Sequence, residues 1–190
     1  MEALLISTLV VALAEIGDKT QLLSLFLAAR HRRPGAIILG IFVATLVNHA
    51  LAGLAGAWVR SALGPDLLRW LLGGSLIIIA AWTLKPDRLA EDPRPAGRYG
   101  VFAITVIAFF LAEMGDKTQV ATVVLAAQYA PLAAVVVGTT LGMMLANAPV
   151  VLLGSRFASR IPYRAVRYVA AALFAVLGVA TLAGVGQGPG

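Results

Sequence analysis

The chain contains no cysteine. That excludes a disulfide framework and any metal site built on thiolates. Charge is scarce as well: 13% of the 190 residues are Asp, Glu, Lys or Arg, against about 25% in an ordinary soluble domain. So small a charged fraction cannot wet a globular surface, and 60% of the residues are hydrophobic. The composition predicts an integral membrane protein with the lipid bilayer as its solvent. The opening residues, MEALLISTLVVAL, lack a basic stretch and a small-residue cleavage site. They are expected to begin a membrane span rather than to form a signal peptide. The net charge of +6 does not point to nucleic acid, and no nucleic-acid partner is expected. The basic residues gather in short loops between apolar runs, as they do in cytoplasmic loops of membrane proteins.

Six apolar stretches, 3–29, 35–59, 67–84, 101–128, 131–154 and 165–186, are long enough to span, since a crossing takes about 20 residues. Only helices or closed barrels satisfy the backbone in lipid, and these runs are too long and continuous for barrel strands. The expected fold is an all-α membrane protein with six transmembrane helices.

Two of the stretches carry the same nine-residue motif. LAEIGDKTQ occupies Leu13 to Gln21 and LAEMGDKTQ occupies Leu111 to Gln119, with one mismatch at Ile16 and Met114. The 98-residue shift between them also pairs Gly40 with Gly138, Gly56 with Gly154, Arg69 with Arg167 and Thr83 with Thr181. The chain therefore reads as two copies of a three-helix unit, residues 1–84 and 101–190, joined by a cytoplasmic linker at 85–100. An odd number of spans per copy makes the second enter from the opposite side, giving inverted repeats. Loop charge agrees with an N-out, C-out chain. The inner loops then hold Arg30, Arg32, Arg33, Lys85, Arg88, Arg94, Arg98, Arg156, Arg160, Arg164 and Arg167, and the outer loops only Arg60 and Arg69. That bias is the positive-inside pattern.

The motif places Glu15, Asp18 and Lys19, and again Glu113, Asp116 and Lys117, inside apolar spans. Glu15 lies about 18 Å from Ala3 along a helix, near the middle of a span. Each such charge costs at least about 2.5–3.5 kcal/mol even on the lenient insertion scale. Pairing acids with lysines as structural glue accounts for two carboxylates. Four acids against two lysines leave a formal charge of −2, which a divalent cation or two protons would neutralise. On a helix Glu15 and Asp18 share a face and Lys19 flanks it. Gly17 and Gly115 are expected to permit a kink that frees a carbonyl. Carboxylates, amides and hydroxyls suit the hard cations Ca²⁺, Mn²⁺ and Mg²⁺, whereas Zn²⁺ more often brings cysteine or several histidines. No resident cofactor is expected; the ion is cargo. Metal and protons compete for the same carboxylates, which is the physics of antiport.

Weaker candidates surround the acids. Asn48, His49 and Asn147 fall inside spans, and the shift pairs His49 with Asn147. Each could equally hydrogen-bond a neighbouring helix. Thr20 and Thr118 adjoin the acids, with back-bonding to their own helix as the plainer role. Ser24 and Thr122 fall off the helical face of the acids and are expected to pack. Trp58, Trp70 and Trp82 lie near span ends, where interfacial anchors sit.

The doubled E-x-G-D-K-T, Glu15 to Thr20 and Glu113 to Thr118, in a two-by-three helix chain resembles one family over nearly its whole length. It is the family of Golgi calcium/manganese–proton exchangers and bacterial manganese exporters, within the lysine-exporter superfamily. The resemblance implies export of a divalent cation in exchange for protons, with Glu15, Asp18, Glu113 and Asp116 binding the ion. The short chain is similar to the prokaryotic branch, where manganese efflux across the plasma membrane is the usual assignment. Gln21, Gln119 and Asn147 are expected to complete the shell, and Lys19 and Lys117 to hold the acids when no ion is bound. Metal ion and protons are thus the expected partners, and a single chain carries both repeats. A calcium/proton exchanger would use the same site. An intramembrane lipid pyrophosphate phosphatase is the alternative of another class. It needs a nucleophile or phosphate-binding arginines beside the acids, and no arginine lies at that depth.

Overall fold

A computed structural model of the chain describes residues 1–85, 100–154 and 162–184, and all regular structure among them is helical. The helices are α1 (Glu2–Glu15), α2 (Lys19–His31), α3 (Pro34–Ala62), α4 (Pro65–Thr83), α5 (Val101–Glu113), α6 (Lys117–Gln128), α7 (Leu132–Leu153) and α8 (Tyr163–Leu182). Four of them, α3, α4, α7 and α8, are each long and apolar enough to cross a membrane. Of the expected linker, residues 86–99 lie outside the described residues, as do Arg156 and Arg160 of the second basic loop.

The apolar stretches 3–29 and 101–128 are not continuous helices, and the expected kink is a complete break. Ile16 has φ −64° and ψ 117° and is followed by Gly17 at φ +83°. The Asp18 N–H then donates to the Glu15 carbonyl at 3.0 Å. Met114 (φ −60°, ψ 117°), Gly115 (φ +73°) and the Asp116 N–H to Glu113 carbonyl bond at 3.0 Å repeat the geometry. This is a type II turn, whose third residue needs positive φ. Glycine reaches that region without strain. Hydropathy conceals the turn because longer apolar runs lie on both sides of the motif. Asp18 and Asp116 become the N-caps of new helices, α2 and α6.

Packing joins the helix before each turn to the long helix that follows the other turn. α1 lies along α7 and α5 along α3. Gly138 and Gly142 bring α7 so close to α1 that a Cβ on either would stand 2.6 Å from the Leu4 or Thr8 carbonyl oxygen. Gly40 faces the Phe102 carbonyl of α5 in the equivalent way. The last helices of the two halves, α4 and α8, pack on each other, with Gly73 beside Leu182 and Gly178 beside Ile77. These contacts converge the two broken helices on one centre.

Burial runs opposite to that of a soluble protein. Glu15, Asp18, Glu113, Asp116 and Lys117 are buried, while Leu5, Leu9, Leu39, Ile78, Leu145, Val176, Trp58 and Trp70 are exposed. In water that exterior would be a contiguous apolar liability. With the spans it makes the chain a multi-pass helical membrane protein.

Candidate cation site

The two turns deliver three of their four carboxylates, all but Asp116, to a common point. Glu15 ends α1, Glu113 ends α5 and Asp18 caps α2. One carboxylate oxygen from each of these three lies within 4.8 Å of the others, and all three side chains are buried. Because α1 and α5 end here and α2 and α6 begin here, the site meets the carbonyl ends of two helices and the N–H ends of two more. The first pair favours a cation, the second favours the aspartates.

The lysines cross between copies. Lys19 Nζ lies 2.9 Å from Asp116 Oδ1, and Lys117 Nζ donates to Asp18 Oδ1. Lys19 does not flank Glu15 on a helical face as the spacing suggested, because no helix joins them. The two lysine–aspartate pairs cancel in formal charge, so the uncancelled acids are Glu15 and Glu113. Their surroundings differ. Glu15 Oε1 accepts from the Asn147 amide at 3.2 Å, and the Thr118 hydroxyl, whose proton goes to Asp116 Oδ2, lies 3.4 Å from Oε2. Neither oxygen of Glu113 has a hydrogen-bond donor, although the side chain is fully buried.

The amides expected as ligands hold the turns. Gln21 Oε1 accepts from the Gly17 N–H at 3.0 Å, and its Nε2 donates to the Ala146 carbonyl at 3.0 Å. Gln119 Oε1 accepts from the Gly115 N–H at 2.7 Å, and its Nε2 donates to Asn48 Oδ1 at 2.6 Å. A glutamine three residues past the cap, reaching back to a backbone N–H, is the logic of a capping box. Asn48 also donates to the Phe110 carbonyl at 3.4 Å. Thr20 and Thr118 donate to Asp18 Oδ2 and Asp116 Oδ2 at 3.4 Å and 3.0 Å, so both hydroxyls serve the acids rather than their own helix. His49 is fully buried with neither ring nitrogen hydrogen-bonded. Ser24, assigned to packing from the sequence, donates to Asn147 Oδ1 at 2.7 Å. Its signal was hidden because the helix restarts at Lys19. Counted from there, Ser24 lies one turn beyond Thr20 on the same face.

The centre is buried, oxygen-rich and uncancelled by two charges, a donor set of the kind that suits hard cations. The comparisons agree. The chain matches the family described as "Divalent cation/proton antiporter GDT1" over residues 3–91 and 101–188. The chain belongs to that family, and it is a transporter of divalent cations rather than an enzyme. Over 182 residues it is 54% identical to a Vibrio cholerae protein named "Putative manganese exporter", a match that covers 95% of this chain and 90% of that one. It is 26% identical over 200 residues to "GDT1-like protein 3" of Oryza sativa subsp. japonica, covering 91% of this chain and 71% of the relative. The protein of the same name in Arabidopsis thaliana is 25% identical over 201 residues, with 91% and 68% covered. No solved structure matches the chain at a significant level.

Proposed function

We propose that this protein exports Mn²⁺ from a bacterial cytoplasm across the plasma membrane in exchange for external protons. The observation that carries the site is the meeting of Glu15, Asp18 and Glu113 oxygens within 4.8 Å in a buried centre. The choice of manganese rests on the name of the Vibrio cholerae relative. The family's description supports the proton as counter-ion.

In this reading the chain crosses the membrane six times, N-out and C-out, as inverted copies at 1–84 and 101–190 about a linker at 85–100. The crosswise equivalence of the α1–α7 and α5–α3 contacts supports it. Mn²⁺ enters from the cytoplasm and binds ionised Glu15 and Glu113 with Asp18. Asp116 completes the acidic set from the far side of its bond to Lys19. The lysines hold the aspartates while the site is without ion. Gln21 and Gln119 keep the turns in shape, and Asn147 steadies Glu15. One divalent ion or two protons neutralises the residual charge, so each displaces the other. Rocking of the two copies exposes the site to either side in turn.

Uptake into proteoliposomes under an imposed pH gradient tests this, comparing Mn²⁺ with Ca²⁺ for wild type and Asp116→Asn. Gradient-driven Mn²⁺ flux that the variant loses is the expected result. Preference for Ca²⁺ would make the protein a calcium/proton exchanger, and absence of flux for both ions would overturn the proposal.

A further inference from the structure

We propose that Ser24 is a positioning residue for the transported ion, fixing the Asn147 amide so that its N–H group holds Glu15 at the site. The inference rests on the cation-exporter reading and names a residue that reading does not use.

The orientation of Asn147 follows from what surrounds it. Its Nδ2 lies 3.2 Å from Glu15 Oε1, 3.1 Å from the Met143 carbonyl oxygen and 3.0 Å from Met143 Sδ. A carboxylate, a carbonyl and a thioether are all acceptors. An amide oxygen turned to that side would face lone pairs only, so the NH₂ group must point there. Oδ1 then points to Ser24 Oγ at 2.7 Å. An amide oxygen carries no proton, so the serine hydroxyl is the donor.

That assignment uses the one proton Ser24 has. A buried serine in a helix ordinarily back-bonds to the carbonyl four residues earlier. Thr122, at the equivalent place in the second copy, does this, donating to the Thr118 carbonyl at 2.8 Å. Ser24 instead reaches from α2 across to α7, and Asn147 reaches on to the end of α1. All three side chains are fully buried. The chain Ser24 to Asn147 to Glu15 therefore couples a helix of one copy to the carboxylate through a helix of the other. Asn147 acts on the ion through Glu15, to which its NH₂ group is turned while its oxygen accepts from Ser24. Without the hydroxyl, Oδ1 loses its donor and the amide is held on its NH₂ side alone, by Glu15 and Met143.

The test is Mn²⁺ binding by calorimetry in detergent, with Mn²⁺ flux in proteoliposomes, on Ser24→Ala, Ser24→Thr, Asn147→Ala and the Ser24→Ala/Asn147→Ala pair. Loss of an outer-shell partner typically weakens metal affinity by about 10–100-fold, so Ser24→Ala should raise the Mn²⁺ Kd by about tenfold. KM should rise in parallel while kcat holds. Ser24→Thr keeps the donor and should keep the wild-type Kd. In the Asn147→Ala background, Ser24→Ala should change Kd little, because its partner is already gone. An unchanged Kd in Ser24→Ala, an equal loss in Ser24→Thr, or full additivity with Asn147→Ala would each overturn the proposal. A wild type without Mn²⁺ binding or flux would instead overturn the exporter reading beneath it.

Discussion

Glu15 and Glu113 hold the same place in two nearly identical motifs and live in different surroundings. Glu15 is held by Asn147, whereas Glu113 has no hydrogen-bond donor on either oxygen. The motif does not make the difference. It comes from positions where the copies diverge: Asn147 stands where the first copy has His49, Met143 where it has Thr45, and Ser24 where the second has Thr122. On the inverted-repeat reading, two motifs related by a two-fold offer an ion two half-sites of the same residues. Divergence outside the motif supplies one carboxylate that is fixed and one that is uncommitted. On the exporter reading, the uncommitted one is the group that exchanges its cation for a proton with the least reorganisation.

The largest expected effects come from neutralising the two glutamates. Glu15→Gln and Glu113→Gln should each reduce Mn²⁺ flux by more than about a hundredfold, since each removes a charge the ion needs. Their effects on stability without metal should differ in sign. A buried carboxylate without donors carries a penalty of about 1–3 kcal/mol, so Glu113→Gln should raise the melting temperature in detergent. Glu15→Gln disturbs a satisfied group and should not. Equal shifts in both variants would erase the distinction between the half-sites.

The removal of charge from the crossed pairs comes next. Lys117 and Asp18 have side chains 5% and 0% exposed, while Lys19 is 26% exposed beside a buried Asp116. Breaking a buried pair costs about 3–5 kcal/mol and an exposed one up to about 1 kcal/mol. Lys117→Met should therefore destabilise strongly and Lys19→Met by less, about 1–2 kcal/mol between those limits. Chemical denaturation in detergent measures both. Exchanging the order of the two would mean that water reaches the site from the Lys117 side.

Much of this was legible beforehand, and what was not has a physical cause. The doubled motif, its four acids and the all-helical membrane class follow from composition and from a 98-residue shift that matches charged residues. The break at Gly17 was not legible, because hydropathy is blind to φ. A glycine inside a long apolar stretch reads as a tolerated kink until the Asp18 to Glu15 backbone bond closes the turn. From that one error came the others. A helical wheel drawn through residues 15–24 puts Lys19 beside Glu15 and Ser24 away from the site. With the helix restarting at Lys19, the lysine crosses to Asp116 and Ser24 turns toward Asn147. The expectation for Gln21 and Gln119 overlooked the N–H groups of the turns, from which both oxygens accept a hydrogen bond.

Smaller effects are expected at the turns, where the copies differ in what covers them. A non-glycine residue at positive φ costs about 1–2 kcal/mol, so Gly115→Ala should lose that much, since a Cβ there meets nothing within 4 Å. At Gly17 the added Cβ would also stand 2.9 Å from the Tyr163 ring, and Gly17→Ala should lose more. Adding Tyr163→Ala should recover only the excess. If Gly17→Ala and Gly115→Ala melt together, Tyr163 yields freely and does not brace the first turn.

The smallest effect is expected at Thr122, and it sharpens the comparison most. Its hydroxyl bonds inside its own helix, to the Thr118 carbonyl, and that carbonyl keeps its place in the helix when the hydroxyl goes. Thr122→Ala should change stability by no more than about 1 kcal/mol, the net worth of one hydrogen bond, and should leave the Mn²⁺ Kd as in wild type. Ser24 occupies the same place in the other copy, yet its loss is expected to weaken binding. Calorimetric titration of Thr122→Ala beside Ser24→Ala decides whether position or partner matters. A matching loss in both would make the location alone responsible, and the two half-sites would be equivalent despite Asn147. A loss confined to Ser24→Ala would tie the asymmetry of the carboxylates to a hydroxyl that the motif does not contain.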